Sequence, residues 1–374
     1  MIIGRHRNTY ATIDLSAIQH NINVERQHMN DGQALFAVVK ADAYGHGLVP
    51  VAIAAQEAGV DGFCVALIDE AVALREVGIT KPILILGITP VQQATYMAKY
   101  NLSTAVGDLQ FLKEAQVQLE KSHLKLRVHL ALDTGMGRIG FRNQKDLSEA
   151  IEFLEKYPNE FDYEGIFTHF STADSSDDTY FEMQLNKFQN LMEVVKKRPK
   201  YVHVANSAAS IWHKKCGGDL VRLGIGMYGL NPSGKEVDLP EDMQIKPAFS
   251  LSSELVAVKK VHAGDSISYG TTYTAEKDEW IGTVPMGYAD GWLRRMQGSK
   301  VLVEGHECEI VGRICMDQFM IRLPYKMDIG KEVTLIGENN GKIKTAQDAA
   351  DFAGTIHYEI VCSIAQRVPR FYKK

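Results

Sequence analysis

The stretch ALFAVVKADAYGHG, residues 34–47, joins a wholly apolar run to a lysine and a glycine-containing loop. Such a run followed by turn residues is typical of a buried strand in a parallel sheet. Lys40 ends this strand. Because an ammonium group is costly to desolvate, the pKa of Lys40 should fall and its amine should become available as a nucleophile or a base. Taken alone, Lys40 would also fit a surface lysine whose aliphatic stem covers apolar surface.

Around this stretch, from about residue 35 to residue 228, short apolar runs alternate with segments of helical period, which indicates repeated βα units. Eight strands are predicted, at Leu35–Val39, Gly62–Leu67, Pro82–Leu86, Leu102–Val106, Leu124–Leu132, Glu164–His169, Tyr201–Ala205 and Leu220–Leu223. Eight such units predict an α/β fold, a closed TIM-like (β/α)8 barrel. Catalytic groups of these barrels lie where the strands end, which is where Lys40, Asp133, His169 and Asn206 fall.

The chain changes character after Gly229. Turn and linker residues follow, over residues 231–234 and 239–242, and the rest is mostly an alternating β pattern. We therefore predict a barrel domain over residues 1–238 and a mostly-β domain over residues 239–374. The strand-like segment over residues 10–14 precedes the barrel and is a candidate to pair with the second domain.

The composition is that of an ordinary globular protein, with 374 residues of which 45% are hydrophobic and 23% charged. The formal net charge of -5 gives no reason to expect binding to nucleic acid or to an anionic membrane. The N-terminus lacks the apolar core of a signal peptide, and no apolar run approaches the ~18 residues of a membrane span. We expect a cytoplasmic protein.

The cysteines and histidines suggest neither disulfides nor metals. Five scattered cysteines, an odd number, fit reduced thiols better than a disulfide framework. The twelve histidines show no HxH or HExxH spacing, so no metal site is predicted.

Two glycine motifs follow predicted strands. Gly224-Ile225-Gly226 follows the eighth strand, where backbone N–H groups of barrels commonly hold phosphate, and Asn206-Ser207 would add a hydroxyl and a helix N-terminus to the same pocket. The GxGxxG pattern over residues 135–140 follows the fifth strand instead of opening a βαβ unit. Arg138 inside it would crowd a pyrophosphate, so dinucleotide binding is not predicted.

Nine motifs, in order along both halves of the chain, resemble those of the alanine racemase family. They are AVVKADAYGHG, LDTGMGRIGF, HFSTAD, HVANSAA, VRLGIGMYG, ISYGTTYTA, PMGYADGW, GRICMDQFM and TIHYE. The resemblance spans nearly the whole chain. It implies a pyridoxal-phosphate (PLP) cofactor, interconversion of L-alanine and D-alanine that supplies D-alanine for peptidoglycan, and a homodimer whose active sites are shared between subunits.

The resemblance implies two bases on opposite faces of the substrate. Lys40 would carry PLP through a Schiff base and act on the D face, and Tyr269, supplied by the second subunit, would act on the L face. Because an unperturbed tyrosine has a pKa near ~10, its phenolate needs stabilisation. His169 is implied in contact with both Tyr269 and Arg222, although alone it would also fit a buried structural histidine.

Arg222 is implied at the pyridine nitrogen of PLP, where most PLP enzymes place an acid. A guanidinium does not give up its proton there, so the pyridine stays largely unprotonated and the ring is a weaker electron sink. Reprotonation on the cofactor, as in transamination, is then less favoured, which suits a racemase.

The remaining roles follow from the same resemblance. Arg138 would support the substrate carboxylate and the phenolic oxygen of the cofactor, and Met316 and Asp317 would bind the substrate from the second subunit. The phosphate side of the cofactor is implied at Tyr44, Asn206, Ser207, Gly224, Ile225 and Tyr358, and a gate with an access channel at Asp174, Tyr288, Arg294, Arg313 and Ile356. Without the resemblance, Tyr288 and Tyr358 would also fit aromatic residues packed in a β domain.

One position departs from the family. Ala131 stands where many members carry a lysine modified to a carbamate, whose negative charge orients the arginine matched by Arg138. Because alanine cannot do this, we hypothesise that a bound small anion or a neighbouring polar side chain takes over the role.

Three other functions are compatible with parts of the pattern. A broad-specificity racemase would act on serine as well as alanine. A PLP decarboxylase of basic amino acids shares the barrel-plus-β plan, but that class carries an acid at the position of Arg222 and lacks a second base such as Tyr269. A non-catalytic PLP-binding protein would need neither Tyr269 nor Met316.

Overall fold

The computed structural model describes residues 2–374, and its internal contacts divide the chain into two compact units. The first, here called the barrel unit, comprises Ala17–Ala43 and Leu48–Lys246. The second, the β unit, comprises the described residues up to Ser16 together with Tyr44–Gly47 and Pro247–Lys374. The boundaries differ from the predicted ranges 1–238 and 239–374, since residues 239–246 group with the barrel unit and Tyr44–Gly47 groups with the β unit. Strand β1 (Tyr10–Asp14), named above as a candidate to pair with the second domain, also groups with the β unit.

Eight parallel strands form the sheet of the barrel unit. They are β2 (Ala34–Val38), β3 (Gly62–Val65), β4 (Ile83–Ile85), β5 (Ser103–Val106), β6 (Leu126–Ala131), β7 (Phe161–Phe167), β8 (Tyr201–His203) and β9 (Leu220–Leu223). From β2 to β8 each strand pairs with the next, and β9 pairs back onto β2. Asn206 and Arg222 form a single bridge across the remaining gap between β8 and β9. The predicted barrel is confirmed in this nearly closed form.

Helices alternate with these strands. They are α1 (Leu15–His28), α2 (Leu48–Glu57), α3 (Ile68–Glu76), α4 (Ala94–Lys99), α5 (Leu109–Ser122), α6 (Gln144–Lys156), α7 (Thr179–Met192) and α8 (Ser207–Trp212). Helix α5 illustrates why they form: Asp108 caps it by accepting a hydrogen bond from the Phe111 N–H at 2.8 Å. Leu112, Ala115 and Leu119 then recur on one buried face. Helix α5 thereby turns its apolar face inward, toward the barrel sheet.

The β unit is built on one large sheet. Its further elements are β10 (Phe249–Glu254), β11 (Ala257–Val261), β12 (Ser266–Ile267), β13 (Tyr273–Thr274), β14 (Glu279–Val284), β15 (Lys300–Val303), β16 (His306–Val311), β17 (Phe319–Leu323), β18 (Glu332–Asn339), β19 (Lys342–Lys344), α9 (Ala346–Ala353), α10 (His357–Ser363) and β20 (Arg370–Lys373). The sheet order is β11-β14-β17-β16-β15-β18-β10-β1-β20, with β19 on β18 and β12 paired to β13 apart from it. Strand β1 runs antiparallel to β10 and parallel to β20.

A buried carboxylate fastens the N-terminal residues to the loop after β14. Asp290 has no exposed side-chain surface, and both Nη atoms of Arg7 donate to it. The Gly287 N–H donates to it at 3.0 Å, and Arg367 Nε lies 3.4 Å from it. Two guanidinium groups compensate the desolvation of this carboxylate. Because the loop also carries Tyr288, this ion cluster fixes the backbone of a predicted gate residue.

We predict that Asp290→Ala lowers the free energy of unfolding by about 3 kcal/mol, because it leaves the Arg7 guanidinium without its buried counter-charge and removes one of the two carboxylates beside Arg367. Urea denaturation measures the change. Asp317→Ala is the matched control, since Asp317 pairs with the same Arg367 at 2.8 Å but is about half exposed, and it should cost less than ~1 kcal/mol. Equal losses in the two variants would show that burial of Asp290 contributes nothing.

Candidate active site

The four residues after Lys40 adopt a left-handed turn. Ala41, Asp42, Ala43 and Tyr44 all have φ between 53° and 54°, a region that costs roughly 1–2 kcal/mol for each residue with a Cβ. None of the four is glycine or asparagine, so surrounding contacts must impose the conformation. The turn immediately follows the lysine predicted to react.

Three hydrogen bonds within the barrel unit hold the first three residues of this turn. The Glu70 carboxylate accepts from the Ala41 N–H at 2.6 Å, and the same carboxylate accepts from the N–H groups of Ala66 and Leu67. The Asp42 carboxylate accepts from the Leu48 N–H at 2.7 Å. The Ala43 N–H donates to the Val39 carbonyl at 2.8 Å. Glu70 therefore ties the start of the turn to the beginning of helix α3.

A cavity of about 320 Å³ opens at the carboxyl ends of the barrel strands. Its charged or titratable lining groups are Lys40, Arg138, Arg222 and His169, and no acidic side chain is among the described residues that line it. The other lining residues are apolar or glycine. Its size is that of a small-molecule site, and its charge suits an anionic ligand.

Arg222 is almost completely buried, with 3% of its surface exposed. Its Nη1 donates to His203 Nδ1 at 2.7 Å, and its Nη2 donates to the carbonyl oxygens of Thr168 and Val204 at 3.0 and 3.2 Å. Burial lowers the pKa of Arg222 to about 10, which leaves the guanidinium charged at neutral pH. The cation is thus held by neutral acceptors.

His169 lies beside Arg222, whose Nη2 is 3.4 Å from His169 Nδ1. Burial, followed by the charges of Arg222, Arg138 and Lys40, lowers the pKa of His169 to about 3. The imidazole is therefore neutral at physiological pH. Since Arg222 donates to Nδ1, the ring hydrogen of His169 is on Nε2.

The predicted phosphate pocket is built by the ends of β8 and β9. The Ser207 hydroxyl oxygen accepts hydrogen bonds from the N–H groups of Gly224 and Gly226 at 2.8 and 3.4 Å. The Asn206 side chain caps α8 by accepting from the Ala209 N–H at 2.9 Å. Because the Ser207 oxygen acts as an acceptor in both contacts, its hydroxyl hydrogen can be donated to a ligand.

The surroundings of Ala131 are apolar. It packs with Ala105 and Phe167, and Ile139 lies against them. Within residues 2–374 Arg138 has neither a hydrogen bond nor an ion pair to a side chain, and the nearby Asp133 instead accepts from backbone N–H groups and pairs with Arg142 at 3.5 Å. No neighbouring polar side chain takes the role proposed for it; a bound anion stays a prediction.

In the β unit, Tyr269 stands on a turn after β12 with 69% of its surface exposed. Ser268 before it has φ +67°, and its hydroxyl donates to the Arg313 carbonyl at 2.6 Å. The Arg313 guanidinium packs over Gly270, leaving only 3.0 Å between Nη1 and a Cβ placed there. The Arg313 guanidinium therefore lies beside the turn that carries Tyr269.

The loops of Tyr288 and Met316 are joined. The Tyr288 N–H donates to the Cys315 carbonyl at 3.1 Å and the Ala289 N–H to the Met316 carbonyl at 3.0 Å. The Asp317 carboxylate pairs with Arg367, so its negative charge is balanced by an arginine of the β unit. Tyr288 and Met316, about half exposed, stand beside one another on this surface.

The other predicted residues are distributed over both units. Within the β unit the rings of Tyr44 and Tyr358 are 6.2 Å apart, Ile356 precedes helix α10, and Arg294 begins a short 3-10 turn. Asp174 lies in the barrel unit, where burial raises the pKa of its carboxyl.

Comparison with known proteins assigns the family. The model of the alanine racemase N-terminal domain matches residues 13–232, and that of the alanine racemase C-terminal domain matches residues 248–372. An alanine racemase of Ligilactobacillus salivarius is 64% identical over 373 residues, covering all of both chains. The chain belongs to the alanine racemase family.

Solved structures agree with this assignment. The crystal structure of alanine racemase from E. faecalis has a TM-score of 0.97 at 49% identity, covering 100% of both chains. A histidine racemase from Leuconostoc mesenteroides subsp. sake has a TM-score of 0.93 at 33% identity, again covering 100% of both. The alanine racemase fold is therefore shared by relatives that are named for different amino acids.

Two features of this alanine racemase family member were not predicted. One is the left-handed turn with its anchor Glu70. The other is a set of buried polar side chains beneath Arg222, namely His203, His129 and Glu164. Polar residues within otherwise apolar strands, such as Val128-His129-Leu130, are the signal that could have placed them in the barrel interior.

Residues 2–374 provide neither a membrane-spanning helix nor a metal-binding cluster. No helix there combines the length and apolar character needed to cross a membrane. No three His, Cys, Asp or Glu side chains of these residues are grouped so that they could hold a metal ion.

We predict that Ala41→Gly raises the free energy of unfolding of the cofactor-free protein by about 0.5 kcal/mol. Relief of the left-handed strain, roughly 1–2 kcal/mol, exceeds the extra entropy of an unfolded glycine, about 0.4–1 kcal/mol. Ala98→Gly in α4 is the control and should lower stability by about 1 kcal/mol, since its backbone is regular helix. Chemical denaturation compares the two, and a loss at both positions would contradict strain at Ala41.

Proposed function

We propose that this protein interconverts L-alanine and D-alanine with PLP bound through Lys40. The observation that carries the proposal is the cavity at the barrel's strand ends, where Lys40 stands with Arg138, Arg222 and His169 and no acid lines the walls. An amine among fixed cations suits a cofactor that combines a reactive carbonyl with a phosphate. The 64% identical relative supports alanine as the substrate.

The residues present fit PLP. Lys40 would supply the amine that holds it, and the Ser207 hydroxyl with the backbone of Gly224 and Ile225 would hold the phosphate. When bound, PLP withdraws electrons from the substrate α-carbon and so makes its hydrogen removable as a proton. Tyr44 and Tyr358, packed together, are proposed on the phosphate side, with Asn206 shaping the turn that carries Ser207.

Arg222 is proposed to donate a hydrogen bond to the ring nitrogen of the cofactor. Because its pKa stays far above neutrality, it would not transfer that proton, and the ring would remain a moderate electron sink. By leaving PLP a weaker electron sink, Arg222 would favour delivery of the proton to the substrate α-carbon. A decarboxylase of basic amino acids would carry an acid here, so Arg222 disfavours that alternative.

Lys40 and Tyr269 are proposed as the two bases, with Tyr269 supplied by a second copy of the chain. Tyr269, Tyr288, Met316 and Ile356 are all exposed on the β unit. Exposed aromatic and apolar side chains on linked loops are typical of a surface that another subunit covers. A homodimer would thus place these side chains at the cavity of the other chain.

His169 is proposed to hold the tyrosine as a phenolate. Its hydrogen is on Nε2 because Arg222 donates to Nδ1, so the neutral ring can donate to the phenolate oxygen. Arg313, packed beside the Tyr269 turn, adds positive charge. Together they would stabilise the negative charge of the phenolate through hydrogen bonding and a nearby cation.

The substrate carboxylate is proposed to lie between Arg138 and the backbone around Met316 and Asp317. The Asp317 side chain, paired with Arg367, would contribute through its backbone. Asp174, Tyr288, Arg294, Arg313 and Ile356 are proposed to form the gate and access channel. These positions would admit a small amino acid and exclude water during proton transfer.

The cellular role proposed is supply of D-alanine for peptidoglycan in the cytoplasm, which fits five cysteines that are all free thiols. A broader racemase that also accepts serine is the second candidate. It is favoured by the structural likeness to a histidine racemase at 33% identity, because the fold alone does not select the substrate side chain. Turnover of L-serine against L-alanine by purified enzyme distinguishes the two candidates.

We predict that the PLP-reconstituted protein is yellow and that borohydride bleaches it while adding cofactor mass to a peptide containing Lys40. The reason is that reduction makes the linkage to the lysine amine permanent. Absorbance and peptide mass spectrometry measure this, and Lys113→Ala, a change on the outer helix α5, should react normally. A folded protein that stays colourless with PLP would overturn the proposal.

We predict that Tyr269→Phe slows solvent-isotope exchange at the α-carbon of L-alanine by at least ~100-fold, the usual contribution of a general base. Exchange from D-alanine, which depends on Lys40, should fall far less. Isotope wash-in from deuterated water measures both directions. Tyr325→Phe, a change elsewhere on the β unit, is the control, and equal losses from both enantiomers in Tyr269→Phe would argue against two bases.

A further inference from the structure

A continuous chain of buried polar side chains crosses the barrel interior from Arg222 to Glu164. Arg222 Nη1 is 2.7 Å from His203 Nδ1, and His203 Nε2 is 2.9 Å from His129 Nδ1. His129 Nε2 is 3.0 Å from the Glu164 carboxylate. These contacts join strands β9, β8, β6 and β7, so the chain spans residues that are distant in sequence.

Only one placement of hydrogens satisfies this chain. A guanidinium can only donate, so His203 accepts at Nδ1 and carries its hydrogen on Nε2. His203 then donates to His129 Nδ1, which leaves the hydrogen of His129 on Nε2. An ionised carboxylate can only accept, and it receives this last hydrogen. Every bond in the chain therefore has the same direction, from Arg222 to Glu164.

The two ends carry opposite charges. Burial raises the pKa of Glu164, but hydrogen bonds from His129 and Ser103 and the charge of the nearby Arg127 outweigh burial and lower the pKa, so the carboxylate is ionised. Burial and the neighbouring Arg222 hold the pKa of His203 well below its usual range, so that ring is neutral. Among residues 2–374 Arg222 has no direct acidic partner, and Glu164 is the counter-charge it reaches through the two rings.

The packing leaves the two rings little room to turn. His203 stacks on Phe167 with centroids 4.9 Å apart and an interplanar angle of 8°. His129 stacks on Tyr201 at 6.1 Å and 22°. Gly165 lies against the same ring, and a Cβ there would overlap it. The ring positions are therefore set by packing, while their hydrogens are set by the charged ends.

We propose that Glu164 is a positioning residue for the racemase reaction, which fixes through His129 and His203 the direction of hydrogen donation that keeps Arg222 aligned as a donor toward the cavity. This inference rests on the proposed function of Arg222 at the ring nitrogen. With the opposite direction, His203 would present an N–H to the guanidinium, two donors would face each other, and Arg222 would turn away. Glu164 contacts neither cofactor nor substrate and acts through other residues.

The first test concerns the hydrogens and needs no cofactor or activity. In cofactor-free protein labelled with 15N-histidine, both rings should carry hydrogen on Nε2, and His203 should keep that form between pH 5.5 and pH 8.5. The H129N and H203N variants assign the signals. A hydrogen on Nδ1 of either ring, or titration of His203 within this range, would overturn the proposal even if racemase activity were normal.

The second test removes the carboxylate charge of Glu164. Glu164→Gln keeps the size of the side chain, but its amide can donate to His129 Nε2 and so permits the reversed direction. We expect a population with hydrogen on His129 Nδ1 to appear. In the PLP-loaded enzyme kcat should fall about 10-fold, which corresponds to about 1.4 kcal/mol, while KM for alanine changes less than two-fold.

The matched control is Asp162→Asn, which removes one carboxylate charge from the same strand β7. Asp162 is about half exposed and pairs with Arg127 at 3.9 Å, and neither side chain belongs to the series of hydrogen bonds from Arg222 to Glu164. Its histidine signals and kcat should match those of the unmodified protein. If Glu164→Gln behaves like this control, Glu164 has no positioning role.

If the unmodified protein is inactive but its rings have the predicted hydrogens, the proposed function fails and the series of hydrogen bonds from Arg222 to Glu164 stands.

Discussion

A buried guanidinium is the constraint around which the barrel is arranged. Arg222 cannot lose its proton and is almost wholly removed from water, so the neighbouring strands must provide acceptors for it. They do so with the carbonyl oxygens of Thr168 and Val204 and with the ring nitrogens of His203 and His169. Those acceptors come from the ends of strands that meet only when the sheet is rolled up. The cation and the near closure of the barrel therefore depend on each other.

The same constraint explains the electrostatics of the cavity. Lys40, Arg138 and Arg222 line it without an acid among them, an arrangement that would be unfavourable in an empty protein core. An anionic cofactor would supply the missing charge, which is why these residues fit PLP. The ligand would then supply one part of the negative charge, and Glu164, on the far side of two histidine rings, supplies the part that belongs to the protein.

Much of the fold could be predicted from the sequence because its signals are local. Each barrel strand is a short apolar run, and all eight were predicted within a few residues of their observed bounds. The β unit was harder: residues 10–14 were expected beside the second domain and β1 does lie beside β10, but Tyr44–Gly47 joins this unit through contacts that no local pattern records. The hydrogen-bonded side chains from Arg222 to Glu164 were also not predicted. The pairing of the barrel strands brings these residues together although they are far apart in the sequence. The roles of Tyr269 and the gate residues remain predictions from family resemblance.

The left-handed turn after Lys40 has a consequence for how the protein matures. Ala41, Asp42 and Ala43 prefer right-handed backbone in isolation, so the turn cannot form early from local preference. It requires Glu70 on a different helix and therefore an assembled strand-helix framework. Lys40 is therefore positioned only once that framework exists. A nascent chain would thus present an ordinary lysine to free aldehydes in the cell, and selectivity for the cofactor would be acquired together with the native fold.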